Sequence, residues 1–327
     1  MDTKLYTPFE NMSFEEDSCF LCGIKLTDDN KTEEHVIPKW LQNRYDLWNE
    51  KITLLNGTTL PYRMLKIPCC QSCNGTYLSK IENTIRKGVE GGYDVFRDID
   101  KLTIFQWISK IFYGLLFKEL SLDIDRRDKN KGTIITPELL DRFKMLHTFL
   151  QSVRLPIEFH DFKPWSIHIV EGIVSDNNEE NFHYIDGFHF LTFSIKMGDI
   201  LIIANLQDNG LHEENFNGYY QKLEGCKLNY VQFLELATKN QYSAFLLKHR
   251  PTYMIVVDRK ENVNKIVSVS NNYTYDDWNN RMYAQAFYFY LSRIIFGVTF
   301  EQIYNEEKDL VWTSIFKEDG TFNKIAK

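Results

Sequence analysis

Residues 19–23 read CFLCG and residues 70–74 read CQSCN, so the first quarter of the chain carries two Cys-x-x-Cys units. Two such units supply four thiolates, the ligand set of a closed tetrahedral zinc site. A spacing of two residues lets both sulfurs of a unit turn toward one ion, and we expect a structural zinc here. Cys69 is an alternative ligand to Cys70, although its distance from Cys73 along the chain is less usual. The predicted zinc ligands are Cys19, Cys22, Cys70 and Cys73.

Residues 33–41, between these two units, read EEHVIPKWL. The order Cys-x-x-Cys, acid-His-x-x-Pro, Cys-x-x-Cys-Asn and helix resembles the HNH endonuclease family over residues 18–83, about a fifth of the chain. The resemblance implies a ββα-metal fold, in which two strands and a helix surround one catalytic divalent ion. It also implies that the zinc fixes the strands to the helix.

The same resemblance assigns roles to three residues. His35 corresponds to the general base, which takes a proton from water while its imidazole is neutral near pH 7. Glu34 and Asn74 correspond to oxygen ligands of Mg²⁺ or Mn²⁺, hard cations that prefer such donors. The alternatives are a buried structural role for His35, a plain helix N-cap for Asn74, and Glu33 as the carboxylate ligand. The implied reaction is hydrolysis of a phosphodiester bond.

The sequence departs from the family pattern in several places. An insertion occupies residues 43–61, and no Asn is evident just before the second Cys-x-x-Cys unit. The nearest upstream candidate is Asn56, which also fits a turn because glycine follows it. The usual helical His one turn after Asn74 is absent, since position 78 is Leu. Glu82, two turns beyond Asn74, is an auxiliary candidate or else an exposed helix carboxylate.

Charge points to nucleic acid only locally. The chain has 38 Lys and Arg against 45 Asp and Glu, a net charge of −7, which excludes a polybasic coat. Residues 51–87 instead carry six basic residues and one acidic residue, a local charge of +5. A solvated helix face would explain the same charges. The expected partner is DNA in preference to RNA, with phosphates held by Arg63, Lys66 and Lys80.

Composition excludes several other classes of protein. A hydrophobic fraction of 43% and a charged fraction of 25% rule out a disordered chain and a collagen-like repeat. Residues 1–18 are polar and acidic, without an apolar signal core. The most apolar stretch, 102–120, is interrupted by Lys110, Lys118 and Glu119, so we expect a core helix and no membrane partner. Paired cysteines without a dense disulfide framework favour a reducing compartment, the cytoplasm.

The polar, glycine-containing segment 86–100 predicts a domain boundary near residue 95. The expected fold is α+β, with a zinc-stapled ββα domain at 1–95 and a larger α+β domain at 96–327 whose sheet is mainly antiparallel. Thr136 is the predicted N-cap of one helix, and the pair Met197-Gly198 predicts a hairpin. The larger domain is predicted to contain an amphipathic helix at 102–116, helices at 136–150, 230–248 and 277–296, and strands at 165–173, 188–195, 200–206 and 252–257.

These patterns predict a metal-dependent HNH endonuclease that cuts DNA. Two-domain chains with a terminal HNH nuclease resemble bacterial or phage defence and mobile-element effectors, so we expect the larger domain to select targets or to respond to an activating ligand or protein partner. It carries no second catalytic motif, is expected to fold alone without activity, and is compatible with oligomer formation. The alternative function is a zinc-stapled, catalytically inactive module that binds nucleic acid or protein. The missing middle Asn favours this alternative, whereas the Glu34-His35 pair favours the nuclease.

Overall fold

The computed structural model describes residues 4–11, 14, 16–120, 122–134, 136–269 and 272–324. Over these residues the protein is a mixed α+β fold with mainly antiparallel sheets, which confirms the predicted fold class. Within the same residues, no helix combines the length and the apolar composition that a membrane crossing requires.

The helices and strands of the described residues are numbered in chain order. The helices are α1 (Lys39–Arg44), α2 (Ser79–Gly91), α3 (Tyr93–Phe96), α4 (Lys101–Glu119), α5 (Pro137–Leu150), α6 (Leu211–Gln221), α7 (Tyr230–Leu246), α8 (Asn280–Leu291) and α9 (Phe300–Ile303). The strands are β1 (Lys31–His35), β2 (Lys51–Thr53), β3 (Thr59–Pro61), β4 (Lys66–Cys70), β5 (Ile157–His160), β6 (Ser166–Gly172), β7 (Phe182–Gly187), β8 (Thr192–Met197), β9 (Ile200–Asn205), β10 (Lys227–Leu228), β11 (Tyr253–Asp258), β12 (Val263–Ser268), β13 (Tyr304–Asn305) and β14 (Leu310–Val311).

The chain forms two compact units, and both are discontinuous in sequence. The first unit comprises Met1–Glu90, Asp98–Asp161 and Tyr253–Val267, and the second comprises Gly91–Arg97, Phe162–Thr252 and Ser268–Lys327. This division differs from the expected boundary near residue 95, because α4, α5 and a small sheet belong with the N-terminal elements. A domain of residues 1–95 would lack the helix that covers its hairpin.

In the first unit, β1 and β4 form an antiparallel pair followed by a helix, which is a ββα arrangement. Glu34 lies opposite Ile67 and His35 lies opposite Lys66. After β4 the chain enters one wide turn of π-helix, Cys73–Leu78, which continues directly into α2. The predicted insertion between the strands contains α1 and the short hairpin β2–β3.

Helix α4 is the core of the first unit. Every residue from 104 to 117 is buried, so the predicted amphipathic helix is instead covered on all sides. The helix approaches the hairpin closely at Gly114, where an added Cβ would lie 3.0 Å from both methyl groups of Val36 and 3.4 Å from Ile67. An alanine at this position would have to displace the Val36 side chain by a few tenths of an ångström, so glycine favours the close packing of the helix on the hairpin.

Helix α5 and a three-stranded sheet complete the first unit. The Thr136 hydroxyl accepts the backbone N–H of Leu139 at 3.4 Å, which confirms the predicted N-cap. The sheet has the order β11-β12-β5, and β12 runs parallel to β5. Because β5 and β12 are far apart in sequence, this pairing was not predicted.

The second unit contains a five-stranded sheet of order β10-β6-β9-β8-β7. Strand β10 pairs with β6 in parallel, whereas the pairs β6–β9, β9–β8 and β8–β7 are antiparallel. The predicted hairpin at Met197-Gly198 connects β8 to β9, and Gly198 has a φ of +62°. Strand β8 begins at Thr192, later than predicted, because Phe188–Phe190 forms a 3₁₀ turn and Leu191 is left-handed.

Helices α7 and α8 pack with this sheet into one apolar core. Phe233 and Ala237 of α7 share the core with Ile203 of β9 and Phe287 of α8. Helix α8 is shorter than the predicted 277–296, because the Asn279 side chain caps its start and the chain leaves the helix at Ser292. Among the aromatic side chains of α8, Tyr283 and Phe287 are buried, whereas Phe289 is exposed.

Candidate functional site

The Sγ atoms of all four predicted zinc ligands meet in the first unit. They lie within 4.8 Å of one another, and they belong to Cys19, Cys22, Cys70 and Cys73. A tetrahedral zinc ion with Zn–S bonds of about 2.3 Å places its sulfurs about 3.8 Å apart. The Sγ atoms of Cys22 and Cys70 are 3.8 Å apart, so the cluster fits such an ion.

Local backbone geometry forms the first cysteine turn. The N–H of Gly23 donates to the carbonyl of Cys19 at 2.8 Å, and Gly23 has a φ of +73°, which favours glycine. The N–H of Phe20 donates to the carbonyl of Pro68 at 3.0 Å, which joins this turn to β4. The two cysteine turns are thus held together by backbone contacts as well as by the sulfurs.

The second turn distinguishes Cys70 from the alternative ligand Cys69. The N–H of Cys73 points to Cys70 Sγ at 3.4 Å, as expected of a turn that wraps one sulfur. Cys69 is fully buried, and its Sγ lies 4.0 Å from the Sγ of Cys19, outside the group of four. The contact with Cys19 and burial both raise the pKa of Cys69.

A histidine from α5 supports the first cysteine turn. His147 is buried, and its Nε2 lies 2.8 Å from the carbonyl oxygen of Phe20. Burial lowers the pKa of His147 to about 4, so the ring is neutral and donates through Nε2–H. Sequence reasoning missed this residue, since its partner lies 127 residues away.

An open cavity of about 850 Å³ adjoins the cysteine cluster. Cys22, Cys70 and Cys73 line it together with Tyr77 and Arg154. A metal ion held by the four sulfurs would therefore be within reach of small chelators.

Glu34 lies on the face of β1 that turns toward α4. Its side chain is buried and forms an ion pair with Lys110, which is itself only 1% exposed. Lys110 Nζ also contacts a carboxylate oxygen of Glu82 at 2.8 Å. It donates further to the backbone carbonyls of His35 at 2.7 Å and Val36 at 3.3 Å. The ammonium group of Lys110 is thus surrounded by four oxygen atoms. They come from β1, from Val36 directly after β1, and from α2.

The charges in this cluster do not balance, because two carboxylates share one ammonium. Burial raises the pKa of Glu34 to about 7, and the negative charge of Glu82 adds to the increase. Burial alone would lower the pKa of Lys110, but the carboxylates of Glu34 and Glu82 outweigh it and raise the pKa. Lys110 is therefore charged, and Glu34 holds a proton to a higher pH than an exposed glutamate.

His35 lies on the opposite face of β1, as adjacent strand residues do. Its ring centre is 6.0 Å from that of Trp48, and its Nε2 is buried without a hydrogen-bond partner among the described residues. Burial lowers the pKa of His35 from its ordinary value, and the positive charges of Lys66, Lys110 and Lys39 lower it further. The imidazole is thus neutral near pH 7.

Asn74 connects the start of the helix to β1. Its Nδ2 donates to the hydroxyl of Thr32 at 3.1 Å and to the carbonyl of Glu33 at 3.2 Å. Glu33, the alternative carboxylate, is exposed and pairs with Lys66 at 2.8 Å. Asn74 thus stabilises the strand–helix junction, while the Glu34 carboxylate is held by Lys110.

These contacts test whether a divalent ion fits the predicted ligands. The Glu34 carboxylate is taken by Lys110, and Asn74 reaches β1 at Thr32 and Glu33 rather than at Glu34. A second cation beside a buried ammonium would be repelled strongly. In this arrangement Glu34 and Asn74 do not form a site for Mg²⁺ or Mn²⁺, and their role as ligands remains a prediction.

The auxiliary candidates occupy different places. Asn56 lies in the β2–β3 turn, where its Oδ1 accepts the N–H of Thr58 at 3.0 Å and its Nδ2 donates to the carbonyl of Asp123 at 3.3 Å. These are the contacts of a turn residue. Glu82 belongs to the cluster around the buried Lys110 ammonium. It is therefore not an exposed helix carboxylate, which was the alternative prediction for this residue.

The three predicted phosphate-binding residues differ in their surroundings. Arg63 bonds to the carbonyl of Trp48 at 3.3 Å and to the Asn49 side chain. Lys66 is half-buried and paired with Glu33, whereas Lys80 is exposed on α2. Arg63, Lys66 and Trp48 lie on or beside the His35 side of the hairpin, so basic groups do accompany the imidazole.

Comparison with known protein families, curated proteins and solved structures finds no match to this chain. The resemblance to HNH endonucleases therefore rests on the sequence motifs alone.

Two residues of the site were not foreseen from the sequence. Lys110 showed only as a charge that interrupts an apolar helix, and such a residue is a signal for a buried ion pair. Trp48 lies in the predicted insertion and carried no signal, because its contact with His35 depends on how the insertion folds.

Proposed function

We propose that the first unit is a metal-dependent endonuclease that hydrolyses phosphodiester bonds in DNA, in an effector of bacterial or phage defence or of mobile elements. The observation that carries the proposal is His35, a neutral imidazole on a ββα hairpin whose buried Nε2 has no hydrogen-bond partner among the described residues. Such a nitrogen is the group that a general base requires.

The chemistry expected of this chain's own residues begins with His35. Nε2 accepts a proton from a water molecule as the water attacks phosphorus, and the neutral ring becomes imidazolium. Because Nε2 is buried, Trp48 or a neighbouring side chain must shift before substrate approaches it. Arg63 and Lys66 supply positive charge for the phosphate backbone on this side. Mg²⁺ or Mn²⁺ is the proposed cofactor.

The cysteine cluster has a structural part in this proposal. A zinc ion bound by four thiolates has no open position for substrate, so it stabilises the fold and does not act on the phosphate. It joins the turn before β1 to the junction between β4 and the helix, and so fixes the hairpin that carries His35.

A second candidate function is a zinc-stapled module that binds nucleic acid or protein without catalysis. The contact between Lys110 and Glu34 favours it, since the carboxylate proposed for the catalytic ion is already engaged. Under this alternative, His35 and the basic residues around it serve binding alone.

We propose that the second unit selects the target or responds to an activating ligand or protein. Among the described residues, the cysteine cluster is the only group of three or more His, Cys, Asp or Glu side chains arranged to hold a metal ion. The described part of the second unit holds no such group.

Nicking of supercoiled plasmid DNA in Mg²⁺ or Mn²⁺ tests the nuclease proposal. The wild-type protein should nick, and His35→Ala should lower the rate by about 10²- to 10⁴-fold, the usual contribution of a general base. His160→Ala is the matched control, because His160 is exposed and pairs only with surface carboxylates among its recorded contacts. Equal nicking by wild type and His35→Ala would remove His35 as the base.

Absence of nicking by the wild type in both metals would count against the nuclease. The same samples then test the second candidate by DNA-binding titrations at several salt concentrations. A binding constant that falls as salt rises would support a noncatalytic nucleic-acid module.

A further inference from the structure

The buried lysine cluster has the donor set of a cation site. Two carboxylates and two backbone carbonyls converge on Lys110 Nζ, from Glu34, Glu82, His35 and Val36. Oxygen atoms of these two kinds are the ligands that hard divalent cations take from proteins. Their combined charge of −2, with both carboxylates ionised, exceeds the single charge of the ammonium.

The position of Lys110 is fixed by its helix. The residues on either side of it in α4 are all buried from 104 to 117, and α4 contacts the hairpin closely at Gly114. The lysine side chain therefore enters the oxygen cluster from a rigid element, and it is not a surface side chain that happens to fold inward.

We propose that Lys110 is an internal cation that occupies the carboxylate site between β1, α2 and α4, so that the protein in this conformation excludes divalent ions from Glu34. A divalent ion binds there only when the ammonium withdraws. The inference concerns the regulation of the site in the proposed function and rests on that function for its consequence, which is a nuclease that cuts only while Lys110 is withdrawn from the site.

The exclusion follows from electrostatics. A divalent ion bound to Glu34 would lie within about 4 Å of the ammonium, and two cations at this distance repel by several kcal/mol even at an effective dielectric constant of about 20. Removing the charge of Lys110 removes this repulsion and leaves four oxygen atoms unpartnered. The vacated cluster should then bind the ion.

Titration with Mn²⁺ alone, followed by electron paramagnetic resonance on the zinc-loaded full-length protein, tests the inference. Wild type and Glu34→Gln should bind Mn²⁺ with the same affinity. Lys110→Met should gain a site at least tenfold tighter, and the double variant Glu34→Gln/Lys110→Met should lose it. Lys118→Met, on the same helix and half-buried, is the control and should resemble wild type.

Two results would overturn the inference. One is wild-type Mn²⁺ binding that weakens tenfold in Glu34→Gln, since the carboxylate would then be free to bind the ion. The other is a folded Lys110→Met protein that gains no site. If Lys110→Met does not fold, the comparison of wild type with Glu34→Gln decides the question by itself.

This outcome is separable from that of the nicking assay. Nicking by the wild type together with Glu34-dependent Mn²⁺ binding would support the nuclease proposal and contradict the inference that Lys110 excludes divalent ions. No nicking together with Glu34-independent Mn²⁺ binding would keep the inference and reject the constitutive nuclease.

Discussion

Lys110 on α4 donates a hydrogen bond of 2.7 Å to the backbone carbonyl of His35 on β1. The same ammonium pairs with Glu34, so one buried side chain from a central helix holds two adjacent strand residues. The backbone that carries the proposed general base is therefore fixed by a residue that no local motif contains.

Removal of Lys110 should destabilise the protein strongly. Lys110→Met leaves the buried carboxylate of Glu34 and the partly exposed carboxylate of Glu82 without a cation, and breaking a buried pair in this way costs about 3–5 kcal/mol of unfolding free energy. Urea denaturation measures the change. Glu34→Gln/Lys110→Met should recover part of the loss, because it removes one of the unpaired carboxylates.

The control for this measurement is Lys118→Met, which should change the unfolding free energy by no more than about 0.5 kcal/mol. A loss for Lys110→Met that is no larger than this control would show that the buried pair does not stabilise the fold.

The zinc ligands can be distinguished from their buried neighbour. Cys70→Ser should abolish the bound zinc, about one ion per chain, because a closed site needs all four sulfurs. Cys69→Ser should retain it, since Cys69 lies outside the group of four. Elemental analysis of the purified variants measures zinc directly. Loss of zinc in Cys69→Ser with retention in Cys70→Ser would reverse the assignment.

Removal of zinc by a chelator should lower the melting temperature of the wild type by several degrees, because assembly of a structural zinc site is coupled to folding. The cavity beside the cluster gives a small chelator access to the metal. An unchanged melting temperature after complete loss of zinc would show that the cluster does not stabilise the fold.

His183 should contribute to the loss of stability in acid. Burial lowers its pKa to about 4, and its Nδ1 lies 3.1 Å from the hydroxyl oxygen of Tyr230. Between pH 6.5 and 4 the unfolded chain takes up a proton that the folded chain does not, so stability falls as pH falls. The effect of this residue is at most about 3 kcal/mol.

His183→Asn keeps an acceptor near the Nδ1 position and cannot titrate in this range. Urea denaturation at pH 6.5 and pH 4 should show a smaller acid-induced loss for the variant than for wild type. Equal losses would show that His183 does not keep a depressed pKa.

Two glycines should respond to alanine in opposite directions. Gly198 has a φ of +62° in the loop between β8 and β9, so Gly198→Ala should cost about 1–3 kcal/mol. Gly218 lies inside α6, and an added Cβ there meets nothing within 4 Å. Gly218→Ala should therefore stabilise by about 0.5–1 kcal/mol. Urea denaturation measures both, and a shared sign would contradict the backbone argument.

The parts of the site that depend on short spacings could be predicted from the sequence. The ligands Cys70 and Cys73 are set by a turn of two intervening residues, and the choice against Cys69 follows from the same spacing. The cap at Thr136 and the hairpin at Gly198 are equally local, because each depends on the conformation of one residue.

The parts that depend on distant contacts could not be predicted. Lys110 meets His35 across 75 residues, and a hydropathy pattern cannot show which lysine of an apolar helix lies inside. The parallel pairing of β5 with β12, which brings residues 253–267 into the first unit, has no local signal either. The boundary expected near residue 95 was therefore based on composition alone.

The path of the chain through the first unit has a consequence for its synthesis. Segment Tyr253–Val267 belongs to this unit but follows most of the second unit along the chain. A ribosome adding about 5–20 residues per second needs roughly 5 to 20 seconds to pass from residue 161 to residue 267. During that interval the nascent N-terminal part waits without strands β11 and β12. The first unit therefore reaches its finished form only after residue 267 has been added, long after its cysteine cluster and His35 have been synthesised.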